Sequence, residues 1–386
     1  MKKTIAVFFG GRSTEHDISI ITALSSVIKP LELTKKYIVV PVYITKDGQW
    51  FSDEKLKDIR LFRGQAIDDF CAKAKPVAVV FDGGMILRKS GLRNKDIRVD
   101  IAFPAMHGSY GEDGSLMGLL RMAGIPFVGS DMPASVIAMD KVLAKQAAQA
   151  NDIPTSKFVF FSKAEFDGGS RDVIIKKVIS NLTFPQFVKP AHLGSSIGIT
   201  KVNNTDELSN AIEVATYYDD KIIVEEAVEN LVEVTVPIMG NDSLRPSLVE
   251  RPLAHGDDFF DFDTKYMNGG KKSGGSKQTG AQGYSELPAK LPDSLYQASL
   301  DIAQKVYRVV GCEGISRVDL LIDTKSETVY FNEINPLPGS LYAHNWRASG
   351  VSSIELVSRL VELAEERFAR NKKIETTFSS NFLGQF

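Results

Sequence analysis

Cysteine is almost missing from this sequence: there are 2 in 386 residues, Cys71 and Cys312. A disulfide framework or a zinc–thiolate centre needs more, so a reducing compartment is expected. Neither sign of charge is in excess, with 46 Lys and Arg against 48 Asp and Glu. No basic field argues for nucleic acid, and no acidic tail argues for disorder. No apolar run reaches the roughly 18–20 residues that a membrane span requires. The opening MKKTIAVFFGG is basic, but its apolar stretch ends at Phe9 and charge returns at Arg12 and Glu15. That is too short for a secretory leader and reads as a buried first strand. The sequence also has no G-x-x-x-x-G-K-[ST], no two glycines spaced G-x-G, no HExxH and no CxxC. The usual P-loop and dinucleotide fingerprints are therefore excluded, and a nucleotide, if one is bound, must be held in another way.

What is present suffices for a large core. A hydrophobic content of 43% over 386 residues predicts two or three domains. In the first third, residues 4–9, 37–44, 77–81, 99–104 and 125–128 read as strands, and 17–28 and 115–122 as helices. The first helix carries apolar residues at Ile18, Ile21, Leu24, Val27 and Ile28. This rhythm predicts a mostly parallel α/β sheet with helices on both faces. The middle third predicts a small α+β lobe. It has a helix over 134–150, strands over 158–161, 186–189, 198–202 and 221–225, and helices over 164–179 and 206–217. Thr205 and Asp206 are candidate caps of the last of these. The final third predicts strands over 232–239, 244–250, 316–322 and 329–333, helices over 294–310 and 353–368, and a loosely held polar tail from Asn371. NGGKKSGGSKQTGAQG (268–283) is the one low-complexity segment, and by composition alone it is a surface loop.

The chemistry concentrates in a few stretches. FNEINPLPG (331–339) places Glu333 and Asn335 two residues apart on an extended chain, then breaks at Pro336, Pro338 and Gly339. ISRVDLLID (315–323) does the same with Arg317 and Asp319. The short connection after Asp323 predicts an antiparallel hairpin that brings the two pairs together. Asp, Glu and Asn supply hard oxygen ligands, suited to one or two Mg²⁺ ions bridged to phosphates. Arg317 suits a developing phosphate or oxyanion charge. A salt-bridged surface hairpin is the plainer alternative. In FVKPAHLGSSIGIT (187–200) a strand delivers Lys189 into a Gly/Ser turn whose N–H groups and hydroxyls could cradle phosphate, or which could be a simple hairpin turn. Gly194, Ser196 and Gly198 match the G-x-S-x-G nucleophile elbow. That motif needs a helix next, whereas ITKV is strand-like. Glu15 and His16 follow the first strand, at the ligand-binding edge of a parallel sheet. They could bind a small amine or be ordinary first-turn residues. His107, in a glycine-rich loop, is a candidate for catalysis or for loop hydrogen bonding.

Taken in order, GGRSTEHDIS, AMHGSYGEDG, GIPFVGSDMPASVIAMDK, FVKPAHLGSSIG, FDFDTKY, GISRVDLLID and EINPLPG resemble the D-alanine–D-alanine ligases of the ATP-grasp superfamily over nearly the whole chain. The resemblance implies a three-domain ATP-grasp architecture: an N-terminal parallel-sheet substrate domain (1–130), a central lobe (131–224) and a C-terminal catalytic domain (225–386). ATP would lie between two antiparallel sheets. It implies two Mg²⁺ ions, with Mn²⁺ as a substitute, on Asp319, Glu333 and Asn335. Lys141 and Lys189 would bind phosphates and Lys265 the terminal phosphate. Glu225 would hold the adenine amino group, the backbone of Glu226 and Val228 the ring edge, and Glu233 the ribose. Glu15 would take the ammonium of the first D-alanine and join Ser195 and Tyr266 in a linked triad. Arg317 and the Gly339 N–H would stabilise the oxyanion, with His107 beside the substrate. The loop of about 256–286 is similar to the family's active-site lid. A homodimer in the cytoplasm, serving peptidoglycan precursors, is implied as well.

Two departures stand out. The lid is longer and richer in Gly, Ser and Lys than is usual. After Gly339 the chain reads SLYAHNWRAS, which puts His344 and Asn345 where the family holds the carboxylate of the second substrate. The acceptor could therefore be D-serine, D-lactate or another small amino acid. A nucleotide-binding paralogue without turnover is the alternative of a different class.

Overall fold

A computed structural model describes residues 2–89, 96–253 and 285–386. In the N-terminal region β1 (Thr4–Gly10) runs parallel to β2 (Ile38–Ile44) and β7 (Ile101–Pro104), and β3 (Trp50–Phe51) is an antiparallel edge. Every residue of β1 after Thr4 is buried because both faces of the sheet are covered. Ile5, Val7 and Phe9 pack with Ala23 and Val27 on one face, whereas Ala6 and Phe8 pack with Leu116 and Leu120 on the other. Each such large side chain contributes about 1.5–3 kcal/mol of burial.

Three elements differ from expectation here. The strand Val77–Phe81 (β4) does not join the parallel sheet. Asp82, Gly83 and Gly84 turn it back on Met85–Lys89 (β5), which pairs in turn with Ile97–Val99 (β6) as a separate antiparallel sheet. Residues 125–128 form only a bridge between Phe127 and Ala102. The first helix, α1, also continues past Ile28. Its α-helical ends His16–Ile21 and Lys29–Leu33 flank a π-helical Thr22–Ile28. The wider turn precedes Pro30, whose ring would clash with the carbonyl of an ordinary preceding turn.

The helix expected over 134–150 is two helices, α2 (Met132–Met139) and α3 (Lys141–Gln149). Asp140 lies between them with φ −87° and ψ 104°, and its carboxylate accepts from the N–H groups of Val142 (2.9 Å) and Leu143 (3.1 Å). An aspartate placed so caps a new helix better than it continues an old one. The central sheet is all antiparallel, in the order β10 (Thr200–Val202), β9 (Gln186–Pro190), β11 (Lys221–Glu226), β8 (Phe158–Ser162). Its packed face is covered by Arg171–Asn181 and Thr205–Tyr218. The latter helix is capped by Asn204, which accepts from Glu207 N–H at 3.0 Å, rather than by Thr205 or Asp206.

The C-terminal sheet has the order β13 (Leu244–Pro246), β12 (Leu231–Gly240), β16 (Gly314–Asp323), β17 (Thr328–Asn335). Pro246 cannot donate to the ladder, so the strand expected over 244–250 ends there; Glu250 returns opposite Thr235. The hairpin of β16 and β17 forms as expected, but with a shift. Asp319 pairs with Glu333, whereas Leu320 pairs with Phe331, so Asn332 is an extra, bulged residue. Before the bulge Val329 and Phe331 face the core; after it Ile334 does. Under strict alternation Glu333 and Asn335 would have shared the core face of Val329 and Phe331. The bulge turns them to the open face, opposite Asp319 and Arg317.

The final helix, Ser353–Asn371, packs Leu356, Leu360 and Val361 under β1, and its buried Arg367 donates to Phe127 O (2.7 Å) and to Gly129 O. This ties the C-terminal and N-terminal regions into one core. Residues from Lys372 onward are exposed.

Deleting Asn332 removes the extra residue: Glu333 then follows Phe331 directly and stays on the open face opposite Asp319, while Ile334 stays in the core. The variant is expected to keep its stability to within about 1 kcal/mol, read as a nearly unchanged urea midpoint. A loss of about 3 kcal/mol or more, the cost of an unpaired buried carboxylate, contradicts this register.

Candidate active site

Three structural sources converge on one cleft. The central lobe supplies the turn over residues 193–195, with Lys189 and Glu225 buried on β9 and β11. The C-terminal hairpin supplies Arg317, Asp319, Glu333 and Asn335. The N-terminal loops supply Glu15 and His107. Helix α3 crosses between them, because the break at Asp140 starts it with Lys141 facing inward.

At the inner end, Glu225 is fully buried. Its Oε2 accepts from Ser156 Oγ at 2.9 Å and lies 3.2 Å from Lys189 Nζ and 3.3 Å from Lys145 Nζ. Burial opposes its ionised form, but the two ammonium charges and Ser156 outweigh it and hold the carboxyl at about 2. Oε1 is buried with no hydrogen-bond partner among the described residues. An acceptor left this way fits an incoming N–H donor such as an adenine amino group. Lys145 was not identified from the sequence. It is wholly buried, lowered in pKa chiefly by that burial, and 3.4 Å from Phe331 O. The signal was present: Lys145 follows Lys141 by one helical turn, which puts both on one face.

Lys141 Nζ donates to Leu193 O at 2.5 Å and lies 3.2 Å from Glu333 Oε2. It thus joins the Gly/Ser turn to the carboxylate hairpin. In that turn Ser195 and Ser196 both have positive φ, 55° and 59°, and a strand follows, not a helix. This backbone has no nucleophile elbow. Ser195 Oγ donates to Glu15 Oε1, across 180 residues of chain. Gly194 and Gly108 leave room for that carboxylate: a Cβ would lie 3.2 Å from Glu15 Oε2 at Gly194 and 2.9 Å at Gly108. The Glu15–Ser195 half of the expected triad is therefore in contact. Tyr266, Lys265 and most of the expected lid lie outside the described residues.

On the hairpin, Arg317 forms a bidentate pair with Asp319 (Nε–Oδ1 2.7 Å, Nη2–Oδ2 2.6 Å), and Asn335 Nδ2 lies 3.2 Å from Asp319 Oδ2. Asp319, Glu333 and Asn335 offer oxygen donors on one open face, which fits a hard divalent cation. Glu233 lies on the same face, opposite Leu321 on β16. Gly339 lines the cleft with Glu15, His107, Lys141 and Ser195. His107 is buried. Burial disfavours its charge, but Glu112 and Glu15 outweigh this and raise its pKa. Its Nε2 lies 2.8 Å from Thr22 Oγ1.

Glu226 is engaged by Thr183 N–H (2.8 Å) and Lys157 (3.6 Å), and its own N–H donates to Lys157 O, so that amide is not available to a ring edge. Val228 is half-buried in the connection after β11. Asn345 is wholly buried: its Oδ1 accepts from Ser247 Oγ (2.5 Å), and its Nδ2 donates to Leu248 O and Glu250 Oε2, both at 3.0 Å. His344 Nε2 sits 2.9 Å from both oxygens of Glu250. The expectation that Asn345 meets a second substrate is corrected, because its polar atoms are used inside the fold. His344 is already paired with a buried carboxylate.

Sequence reading also passed over His192. Its ring bridges Asp219 (Nδ1–Oδ1 2.9 Å) and Asp140 (Nε2–Oδ2 3.2 Å), while Lys221 Nζ reaches the same Asp140 oxygen at 2.7 Å. This ties the phosphate-type turn to the start of α3.

A cleft beside two antiparallel sheets, with Lys189 on one, Lys141 and Lys145 on the adjoining helix and hard oxygen ligands on the other sheet, is the architecture of an ATP-grasp ligase. Comparison with known proteins agrees. The family model described as D-ala D-ala ligase N-terminus matches residues 4–130, and that described as D-ala D-ala ligase C-terminus matches residues 147–362. A D-alanine–D-alanine ligase of Chlorobium limicola is 37% identical over 376 residues, 95% of this chain and 98% of that one. One of Chloroherpeton thalassium is 35% identical over 377 residues, 96% of this chain and 98% of that one. Among solved structures, the VanG D-Ala:D-Ser ligase of Enterococcus faecalis superposes with a TM-score of 0.78 at 32% identity, over 94% of this chain and all (100%) of that one. The D-alanine–D-alanine ligase of Coxiella burnetii gives 0.77 at 27% identity, over 96% of each chain. The chain belongs to the D-alanine–D-alanine ligase family, a family of ATP-dependent ligases.

His192 supplies a pH test. Its two aspartates raise its pKa from the usual 6.5 to about 9 against the effect of burial. A raised histidine stabilises fully below its unfolded pKa and ceases to as pH rises through the folded one. The stability advantage of the native chain over H192Q is expected to be constant below about pH 6.5 and to vanish as pH passes about 9. An advantage that does not change with pH across this window contradicts the bridge.

Proposed function

We propose that this chain is an ATP- and Mg²⁺-dependent ligase that joins two D-alanines for peptidoglycan precursors. The observation that carries the reading is the meeting in one cleft of Glu15–Ser195, Lys141 and the Arg317–Asp319–Glu333–Asn335 face. Binding a nucleotide alone does not call for an amine-binding carboxylate, an oxyanion-binding arginine and a metal-type ligand set together. Domains over 1–130, 131–224 and 225–386 each contribute to the cleft, and the active form is a cytoplasmic homodimer.

In the first half-reaction a carboxylate oxygen of D-alanine attacks the terminal phosphorus of ATP, and ADP leaves. Glu15 holds the ammonium group of that D-alanine. Lys141 and Lys189 place the phosphates, with Lys265 completing the set. Asp319, Glu333 and Asn335 would hold Mg²⁺, which when bound supplies charge neutralisation at the transferring phosphoryl group. In the second half-reaction the free amine of the second D-alanine attacks the acyl carbon. Arg317 and the Gly339 N–H stabilise the oxyanion, phosphate leaves, and the nitrogen gives up a proton. Water competes with the amine, which is a reason for the loop of about 256–286 to act as a lid.

A second reading changes only the acceptor. His344 is held by both oxygens of Glu250, so the pocket after Gly339 is not built like the family's usual one. D-serine, D-lactate or another small amino acid then replaces the second D-alanine.

The test is ATP-dependent phosphate release with D-alanine and Mg²⁺, with mass spectrometry of the product and D-serine and D-lactate as rival acceptors. D-alanyl-D-alanine is expected as the main product; phosphate release only with a rival moves the assignment to the second reading. Glu333→Ala is expected to lower turnover by about a thousandfold while nucleotide affinity changes by less than about tenfold. Equal loss of both, or of neither, contradicts the role given to Glu333.

A further inference from the structure

We propose that Thr22 is a positioning residue, whose hydroxyl latches the strained turn after Gly339 and thereby sets the oxyanion groups of the cleft. The inference rests on the ligase reading for its chemistry, but its structural part stands without it.

Ser340, Leu341 and Tyr342 all have left-handed backbone conformations, with φ of 51°, 53° and 51°. None is glycine, and consecutive side-chain-bearing residues do not adopt this region unless the surroundings impose it. The turn directly follows Gly339, which lines the cleft. Its end, Tyr342, lies under the Arg317 guanidinium, with the ring centroid 5.3 Å from Cζ. That ring also meets His344 at 4.5 Å between centroids, and His344 is held by Glu250. The turn therefore sets both the Gly339 N–H and the platform on which Arg317 rests.

Two anchors hold it. Leu341 is wholly buried in the N-terminal core. The Ser340 N–H donates to Thr22 Oγ1 at 2.9 Å. Thr22 is itself wholly buried and begins the π-helical part of α1. Insertions of this kind inside α-helices recur at functional sites, where they re-aim a side chain. The same hydroxyl lies 2.8 Å from His107 Nε2. One oxygen thus links the strained turn to a second residue that lines the same cleft. Packing alone would be met by valine, which has the same shape. The hydroxyl is what valine lacks, and without it a half-buried N–H at the first strained residue loses its partner.

The test compares Thr22→Val, which removes the hydroxyl, with Thr22→Ser, which keeps it. Thr22→Val is expected to lower kcat about tenfold or more, with the KM for ATP within about twofold of the native value. Phosphate released per product formed should rise, because slower amine attack at the acyl carbon leaves the acyl phosphate exposed to water attack at phosphorus, which returns D-alanine and phosphate without using the oxyanion site. Thr22→Ser should return kcat to within about threefold of native. A serine variant as slow as the valine one, or a valine variant with native kcat and native stoichiometry, overturns the proposal. Crystal structures of both variants give an arm independent of turnover. Thr22→Val should release residues 340–342 from the left-handed region, and Thr22→Ser should keep them there. If the native chain turns over with a different acceptor, the ligase reading narrows and the same comparison is run with that acceptor. If it shows no turnover, the ligase reading fails, and the turn geometry alone decides for or against the latch.

Discussion

The bulge at Asn332 is the constraint on which the site depends. A β-strand that packs one face on a core commits alternate residues to that face, and β17 enters the sheet with Val329 and Phe331 inward. Continued to its end, that pattern would bury Glu333 and Asn335. One additional residue reverses the alternation, so the same strand begins as core and ends as ligand face. The pairing Asp319–Glu333 and Arg317–Asn335 follows from it. So does the approach of Lys141 to Glu333, because α3 packs against β17 and reaches only the face presented to it.

The second organising feature is electrostatic. Lys141, Lys145 and Lys189 are all buried or nearly so, and their partners are Glu225 and Glu333. Such a group is stable only while its charges are compensated. The fixed pairs also preorganise the site. Arg317 is held by Asp319 and by the Tyr342 ring, the phosphate-type turn is held by His192 between Asp140 and Asp219, and Glu15 is held by Ser195. Groups oriented before the substrate arrives cost less to align during the reaction.

Much of this was legible in the sequence, and the exceptions have physical causes. The hairpin of β16 and β17 could be read because both strands carry polar pairs at i, i+2 and a short connection joins them. The bulge could not, since nothing in TVYFNEIN distinguishes an extra Asn from a paired one. The parallel sheet was readable from its apolar runs, but the departure of β4 was decided by the Asp82–Gly84 turn. The break at Asp140 carried a cap residue inside an apparently continuous helical pattern, and the pattern concealed it. Asn345 and His344 were assigned by counting from Gly339. Three left-handed residues intervene, and the count says nothing about where a chain so bent will point. Lys145, His192 and Thr22 act through contacts with residues far away in the chain, which local reading does not reach.

In the proposed function, the open face of Asp319, Glu333 and Asn335 receives a divalent cation on a nucleotide whose base reaches Glu225. A crystal structure with Mn²⁺ and a non-hydrolysable ATP analogue tests it most directly through anomalous scattering. The account predicts manganese peaks bounded by Asp319, Glu333 and Asn335, phosphates beside Lys141 and Lys189, and the adenine amino group on Glu225 Oε1. Manganese bound away from those three residues, or a base that leaves Glu225 untouched, would contradict it.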